Sequence, residues 1–465
     1  IWSLASGKDK RVCIYNVPVT YPASEVNGIL ISGLDSPSFN DKAIYPLEEK
    51  EKLMAAVPDF KINFDNEARY LVNHHKDPVR EWIRQAKAYL DMEIRTVNYL
   101  LQREDWDLFA AVIRSTDIFQ HTLWLDAEKV MNGEEVSDEV RLRADALFEC
   151  YETIDRQFGE DGWASQGNLV IMSDHGFGEL RGHVCLNRVL AEAGLLSFHS
   201  TDAKVKPRKY LARKLGAHLT ADTKHKIKKY LGKGVSDGRW RSYVDVLIAD
   251  IDWSRTKICA IGGFGCLFLN VKGRDPMGTV PPEEQEEVLA QAESALSKLK
   301  DPRDGEPLVT RFYRKEELFS GPLMSEMPDL VVNMRDWSYC PVIGTAKELA
   351  SDEIIIPPVE EWKQLAHSGT HRREGILILH GPHIAAADLG EAEMVDVAPT
   401  VMNILGLPAS AEWDGKVLKQ ALSGVEASSE EATGYDEQDA GARERVYSEE
   451  DEEEVRKRLE DLGYL

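Results

Sequence analysis

Short continuous apolar runs alternate with longer amphipathic stretches along this chain. The runs at 11–17 (RVCIYNV), 108–113 (LFAAVI), 169–172 (LVIM), 267–271, 330–332 and 376–379 predict strands. Residues 78–103 predict a long helix. Residues 141–158 predict a second, with apolar positions about 3.6 residues apart, and 186–193 a third closed by Gly194. Residues 283–299 predict an exposed helix, with Pro281 and Pro282 just ahead of its start. Brief apolar strands separated by helices imply an α/β fold, a mainly parallel sheet covered by helices on both faces. The runs at 108–113 and 169–172 read as buried strands.

Two segments break this rhythm. Residues 199–252 are polar and partly helical, and between Lys204 and Arg241 they hold 13 basic and 2 acidic residues. They read as an inserted basic cap, either a solvated excursion or a substrate-facing lid. From Val425 to Leu465 there are 15 acidic and 5 basic residues, a local charge of −10. Residues 423–465 read as an acidic linker followed by a short tail helix at 449–462. The α/β core is therefore discontinuous, 1–198 and 253–422.

Composition narrows the class. The net charge of −24 argues against binding a nucleic-acid polymer. No apolar run approaches the roughly 18 residues of a membrane-spanning helix. The six cysteines are scattered without a C-x-x-C pair, which suits free thiols in a reducing, cytoplasmic compartment.

Three motifs carry candidate chemistry. Asp174 and His175 directly follow the 169–172 run, and catalytic groups of open α/β sheets gather at the carboxyl ends of strands. Both could ligate a metal if the chain turns at Gly176; alone, they are equally a capping Asp beside an incidental His. Asp117 and His121 follow the 108–113 run, and one helical turn would place them on a single face. In His367-Ser368-Gly369-Thr370-His371-Arg372 either histidine is available, and His371 sits in a G-x-H context without helical pattern. Arg181 and His183 could contact a substrate phosphate or be loop residues. The Gly262-Gly263-Phe264-Gly265 run lacks the G-x-x-x-x-G-K-[ST] of a phosphate loop. Together, the Asp/His pairs and the third His suit paired divalent metals, which clamp both oxygens of an in-line phosphoryl displacement.

These residues, in this order, resemble the alkaline phosphatase superfamily, and within it the type I phosphodiesterase/nucleotide pyrophosphatase group. The resemblance includes Asn16-Val17-Pro18-Val19-Thr20-Tyr21-Pro22, the D-x-x-Q-H run at 117–121, S-D-H-G-F at 173–177 and S-G-T-H-R at 368–372. Asp396-Val397-Ala398-Pro399-Thr400, Leu405-Gly406-Leu407-Pro408 and Asp414-Gly415 extend it.

It implies that Asp117, His121 and His371 hold one metal and that Asp174 and His175 contribute to a second, with zinc the expected metal and manganese the alternative. It also implies a further Asp ligand and a Thr or Ser nucleophile on a strand ahead of Asn16. Only a partial helix precedes 11–17, so that first strand, the ligand and the nucleophile are expected upstream of Ile1. The expected activity is metal-dependent hydrolysis of a small phosphoester, a phosphodiester or nucleotide pyrophosphate. A phosphomonoesterase, phosphonate hydrolase, sulfatase or mutase of the same superfamily, or a non-catalytic metal- or phosphate-binding protein, are the alternatives. The sequence does not specify an oligomeric state.

Overall fold

The computed structural model describes residues 1–65, 68–159, 162–198, 251–341, 354–356, 365–410, 413–424, 451 and 455. Nearly all of the basic cap, the acidic linker and the tail helix lie outside the described residues.

The first sheet contains β1 (Val12–Val17), β2 (Gly28–Ser32), β3 (Ile44–Tyr45) and β4 (Leu108–Ala111), in the order β3-β2-β1-β4. β1 runs parallel to both β2 and β4, with Cys13 opposite Ile29 and Phe109. Successive residues of a strand face opposite sides, and β1 uses this fully. Cys13 and Tyr15 enter a core built with α4 (Pro78–Leu101), α5 (Ser115–Met131) and α6 (Asp138–Asp155); α1 (Trp2–Ser6), α2 (Glu49–Ala56) and α3 (Ala68–His74) precede them in the chain. Val12 and Ile14 enter a second core with Ala5 of α1 and Met402 of the helix Val397–Ile404. The expected arrangement of helices on both faces of a parallel strand group is therefore present here.

α4 forms where the pattern predicts it. Asp77 caps it through Arg80 N at 3.1 Å, Pro78 starts it, and the wholly buried Trp82 packs against Phe119 of α5.

The expectation of one mainly parallel sheet needs correcting. Five separate sheets occur among the described residues. β5 (Leu169–Met172) pairs antiparallel with β15 (Leu377–His380), and β6 (Gly176–Glu179) with β14 (Gly369–Arg372). β7 (Gly182–Val184) runs parallel to β12 (Tyr339–Pro341) and antiparallel to β13 (Ile355–Ile356). β8 (Ile258–Ala260), β9 (Cys266–Leu269), β10 (Val309–Arg314) and β11 (Leu330–Met334) make an antiparallel sheet. This sheet has its own core with α7 (Leu186–Glu192) and the helix Gln285–Leu296. The reason is geometric. Apolar runs report burial, not direction, and the short Ile261–Gly265 connection permits only a hairpin between β8 and β9.

Two strands read as buried are less so. β4 and β5 are part-buried, with Ala111 and Met172 exposed, because each has a paired neighbour on one side only. No helix among the described residues is long and apolar enough to cross a membrane. All six cysteines are free.

α5 and α6 are joined by a buried ion pair. Arg143 Nε donates to Asp126 Oδ2 at 2.6 Å, with side-chain exposures of 4% and 10%. Burial raises the Asp126 carboxyl pKa despite the neighbouring guanidinium. Removing only one partner leaves a charge without compensation. Arg143→Met should therefore lower unfolding stability by about 3 kcal/mol in urea titration; a loss below about 1 kcal/mol would show that Asp126 finds another way to be accommodated.

Candidate metal centre

The site is assembled from three parts of the chain far apart in sequence. β4 ends at Ala111, and the chain enters α5 at Ser115. Asp117 lies in the first turn of α5 and His121 one turn later, so the predicted single helical face is realised. β5 ends at Met172, and Asp174 and His175 occupy the link into β6.

The third part arrives through strand pairing. In the β6–β14 ladder His371 lies opposite Phe177 and Arg372 opposite Gly176. Ser368 fixes the approach to β14. Its amide donates to His121 O at 2.7 Å and its hydroxyl to Thr122 O at 3.0 Å. Gly176 serves differently from its expected role as a turn: it is the first residue of β6, and a Cβ there would stand 1.9 Å from Glu374 O. The glycine permits close backbone approach, not a left-handed turn.

Three imidazole nitrogens converge on one carboxylate oxygen. Asp117 Oδ1 lies 3.4 Å from His121 Nε2, 3.5 Å from His371 Nε2 and 3.9 Å from His175 Nε2. The two nitrogens of His121 and His371 are 3.0 Å apart. His121 Nδ1 lies 3.2 Å from Gly369 O, and His175 Nδ1 lies 3.1 Å from Gly176 O. A carbonyl only accepts, so each Nδ1 carries the proton and each Nε2 keeps its lone pair.

Lone pairs facing one another and a carboxylate repel unless a cation lies among them. Asp117 Oδ1 is buried and has no hydrogen-bond partner. Asp117, His121 and His371 offer ligand atoms all within 4.8 Å of one another. Imidazole and carboxylate are the donors zinc or manganese takes, so the residues fit a divalent ion.

The other motif residues take distinct places. His175 joins the two halves, with its ring stacked 3.8 Å from that of His371 and its Nε2 3.6 Å from Asp174 Oδ1. Asp174 stands at the rim with 68% of its side chain exposed. His367 stacks on His121 at 4.8 Å and lies outside the compact ligand group, which separates the two histidines the sequence left open.

Arg181 is engaged away from this group, its Nε donating to Glu179 at 3.2 Å and its Nη1 3.9 Å from the buried Asp301. His183 sits within β7, opposite Cys340 and Ile356. Neither is brought into the Asp/His group by the contacts described. Arg372 turns its guanidinium to Glu179 O at 2.6 Å and to His371 O at 3.0 Å, anchoring β14.

Sequence reading assigned no role to the surrounding rings. Phe177 packs edge-on against His121 at 4.8 Å, and Phe264, from the glycine-rich run, stacks over His371 at 6.0 Å. Their aromatic character was visible; only the pairing of β6 with β14 and the β8–β9 hairpin bring them here.

Electrostatics follow from this packing. Burial alone would raise the Asp117 pKa, but the neighbouring His121 and His371 rings outweigh it and hold the carboxyl well below the usual carboxylate range. Burial lowers the His371 pKa, and the neighbouring His121 and His175 rings add to that, while the Asp117 carboxylate opposes.

Two outcomes are expected. In metal-free protein, the His371 ring resonances should titrate below the ordinary imidazole range, because the neutral ring is favoured on folding. The associated stability is present above that range and declines as pH falls through it; titration above it would mean Asp117 outweighs burial. His371→Ala should also remove one metal equivalent by elemental analysis and His367→Ala none, with the reverse pattern moving the ligand role to His367.

A family profile described as type I phosphodiesterase / nucleotide pyrophosphatase matches residues 1–367. No curated protein and no solved structure matches the chain.

Proposed function

This chain belongs to the type I phosphodiesterase / nucleotide pyrophosphatase family of the alkaline phosphatase superfamily, and on that premise we propose that its Asp/His centre serves hydrolysis of phosphodiesters or nucleotide pyrophosphates. The observation that carries this reading is the buried, unpartnered Asp117 Oδ1 facing three imidazole nitrogens.

Asp117, His121 and His371 would hold one ion, and Asp174 with His175 would contribute to a second. Zinc is the first choice and manganese the second. Bound divalent ions supply charge neutralisation for the phosphoryl oxygens and an activated oxygen nucleophile. The chain's own residues do the rest. Gly369 O and Gly176 O hold the imidazole protons on Nδ1, keeping Nε2 available. Phe177 and Phe264 close apolar faces around His121 and His371, which reduces competition from water.

The attacking group, a Thr or Ser in the family's pattern, we assign to no described residue. Arg181 has Glu179 and Asp301 as partners, which favours a structural role over phosphate contact.

The test uses residues 1–465 with added Zn²⁺ or Mn²⁺. Binding of a bis-aryl phosphate should depend on the metal, vanish with a chelator, and fall about tenfold or more in His121→Ala. Binding indifferent to metal would remove the basis of the proposal. Fast turnover by these 465 residues would instead place the nucleophile within them and reopen that one assignment.

A further inference from the structure

The helix that carries Asp117 and His121 has no cap of its own. Arg114 occupies the N-cap position of α5, and its side chain accepts nothing from the first turn. The first N–H groups of any helix need acceptors from outside its own ladder. Here the acceptor is Glu93, reaching across from the middle of α4.

Glu93 is fully buried. Its Oε1 accepts from Arg114 N at 2.9 Å; its Oε2 accepts from Ser115 N at 3.2 Å and from Ser115 Oγ at 2.6 Å. Asn16 Nδ2, at the end of β1, also approaches Oε1 at 3.4 Å and donates to Val112 O at 3.0 Å. One carboxylate therefore ties the exit of β1, the exit of β4 and the start of α5 to α4.

A buried carboxyl is costly for a fold unless its bonds are all made. An apolar side chain in α4 would fill the same space but would leave the Arg114 and Ser115 amides without acceptors. What Glu93 adds is a fixed position for the first turn of α5, and Asp117 stands two residues beyond Ser115 in that turn. Burial raises the Glu93 pKa to about 7, opposed by the Ser115 and Arg114 bonds and the Arg114 charge. Tyr15 of β1 and Cys150 of α6 face the same group, and both are themselves pushed up with Glu93 among the causes, after burial.

We propose that Glu93 is a positioning residue of the metal centre: by clamping the first turn of α5 it sets Asp117 Oδ1 against the nitrogens of His121 and His371. It makes no contact with the ion. The proposal rests on the metal-centre reading, and its test keeps the two apart.

The experiment titrates the full 465-residue protein with Co²⁺ as probe, followed by visible d–d absorbance, alongside thermal unfolding of the metal-free protein. Glu93→Gln replaces an acceptor oxygen by an NH₂ group that confronts the α5 amides. It should weaken Co²⁺ binding about tenfold and alter the absorbance envelope. Ser115→Ala removes only the hydroxyl bond and is the variant of choice should Glu93→Gln not fold. It should weaken binding by about threefold, and in that background Glu93→Gln should cost less than it does alone. Arg143→Met loosens α5 against α6 without touching the first turn, so it should lower the unfolding temperature and leave Co²⁺ affinity unchanged.

Wild-type Co²⁺ affinity in Glu93→Gln and Ser115→Ala would overturn the proposal and leave the metal centre standing. Equal weakening by Arg143→Met would overturn it too, as general softening of α5. Wild-type protein that takes up no Co²⁺ would sink the metal-centre reading itself.

Discussion

Three imidazole nitrogens crowded against one buried carboxylate oxygen are the constraint on which the rest of the site depends. The Nε2 atoms of His121 and His371 stand 3.0 Å apart with Asp117 Oδ1 close to both. Protons are already committed to Gly369 O and Gly176 O on the far side of the His121 and His175 rings. The rest of the fold serves to hold these groups together in spite of their repulsion. β14 is pinned by the β6 ladder, by Arg372 on the Glu179 and His371 carbonyls, and by Ser368 on α5. α5 is pinned at its first turn by Glu93. Such a set of groups fits a cation that would relieve the repulsion.

That the Asp/His motifs lie at element ends that can meet was legible in the sequence, for a physical reason. Spacing of four in a helix, as in Asp117 and His121, is a local geometric fact and survives folding. The ends of apolar runs mark strand ends, where Asp174 and His175 indeed follow β5. The ambiguity between His367 and His371 was not local. What brings His371 rather than His367 into the compact Asp/His group is the register of β14 on β6, a long-range pairing with no sequence period of its own. Strand direction was misjudged on the same ground. The runs at 330–332 and 376–379 were read correctly as strands, but their antiparallel partners depend on how the chain returns, which burial patterns do not encode.

Arg181 and Gly176 show how far a residue's neighbours shape its role. A guanidinium close to a catalytic motif suggests phosphate, yet Glu179 and the buried Asp301 claim it. Around Asp301 the structure gathers Arg181, Arg335 and Tyr339, with Arg303 held by Glu179 and Arg335 paired with Asp304. This network joins the β6–β7 region to the antiparallel sheet, so the charges near the motif serve packing. Gly176 was chosen for torsional freedom in the sequence reading and turns out to be needed for the approach of Glu374.

The two halves of the centre differ in kind. Asp117, His121 and His371 are enclosed, supported by backbone carbonyls and a buried carboxylate behind α5. Asp174 is exposed, and only His175 links it inward. A preorganised group loses little conformational freedom when an ion arrives, whereas an exposed carboxylate must first be ordered. On the proposed function, the enclosed half would anchor an ion, and the open half would leave room for a substrate oxygen or further ligand. That division would suit phosphoryl transfer, in which one part of the centre must stay fixed while groups around the other change partners. The same asymmetry explains the investment in α5: any slack in its first turn would reach the enclosed site directly, whereas motion at Asp174 would be absorbed by solvent.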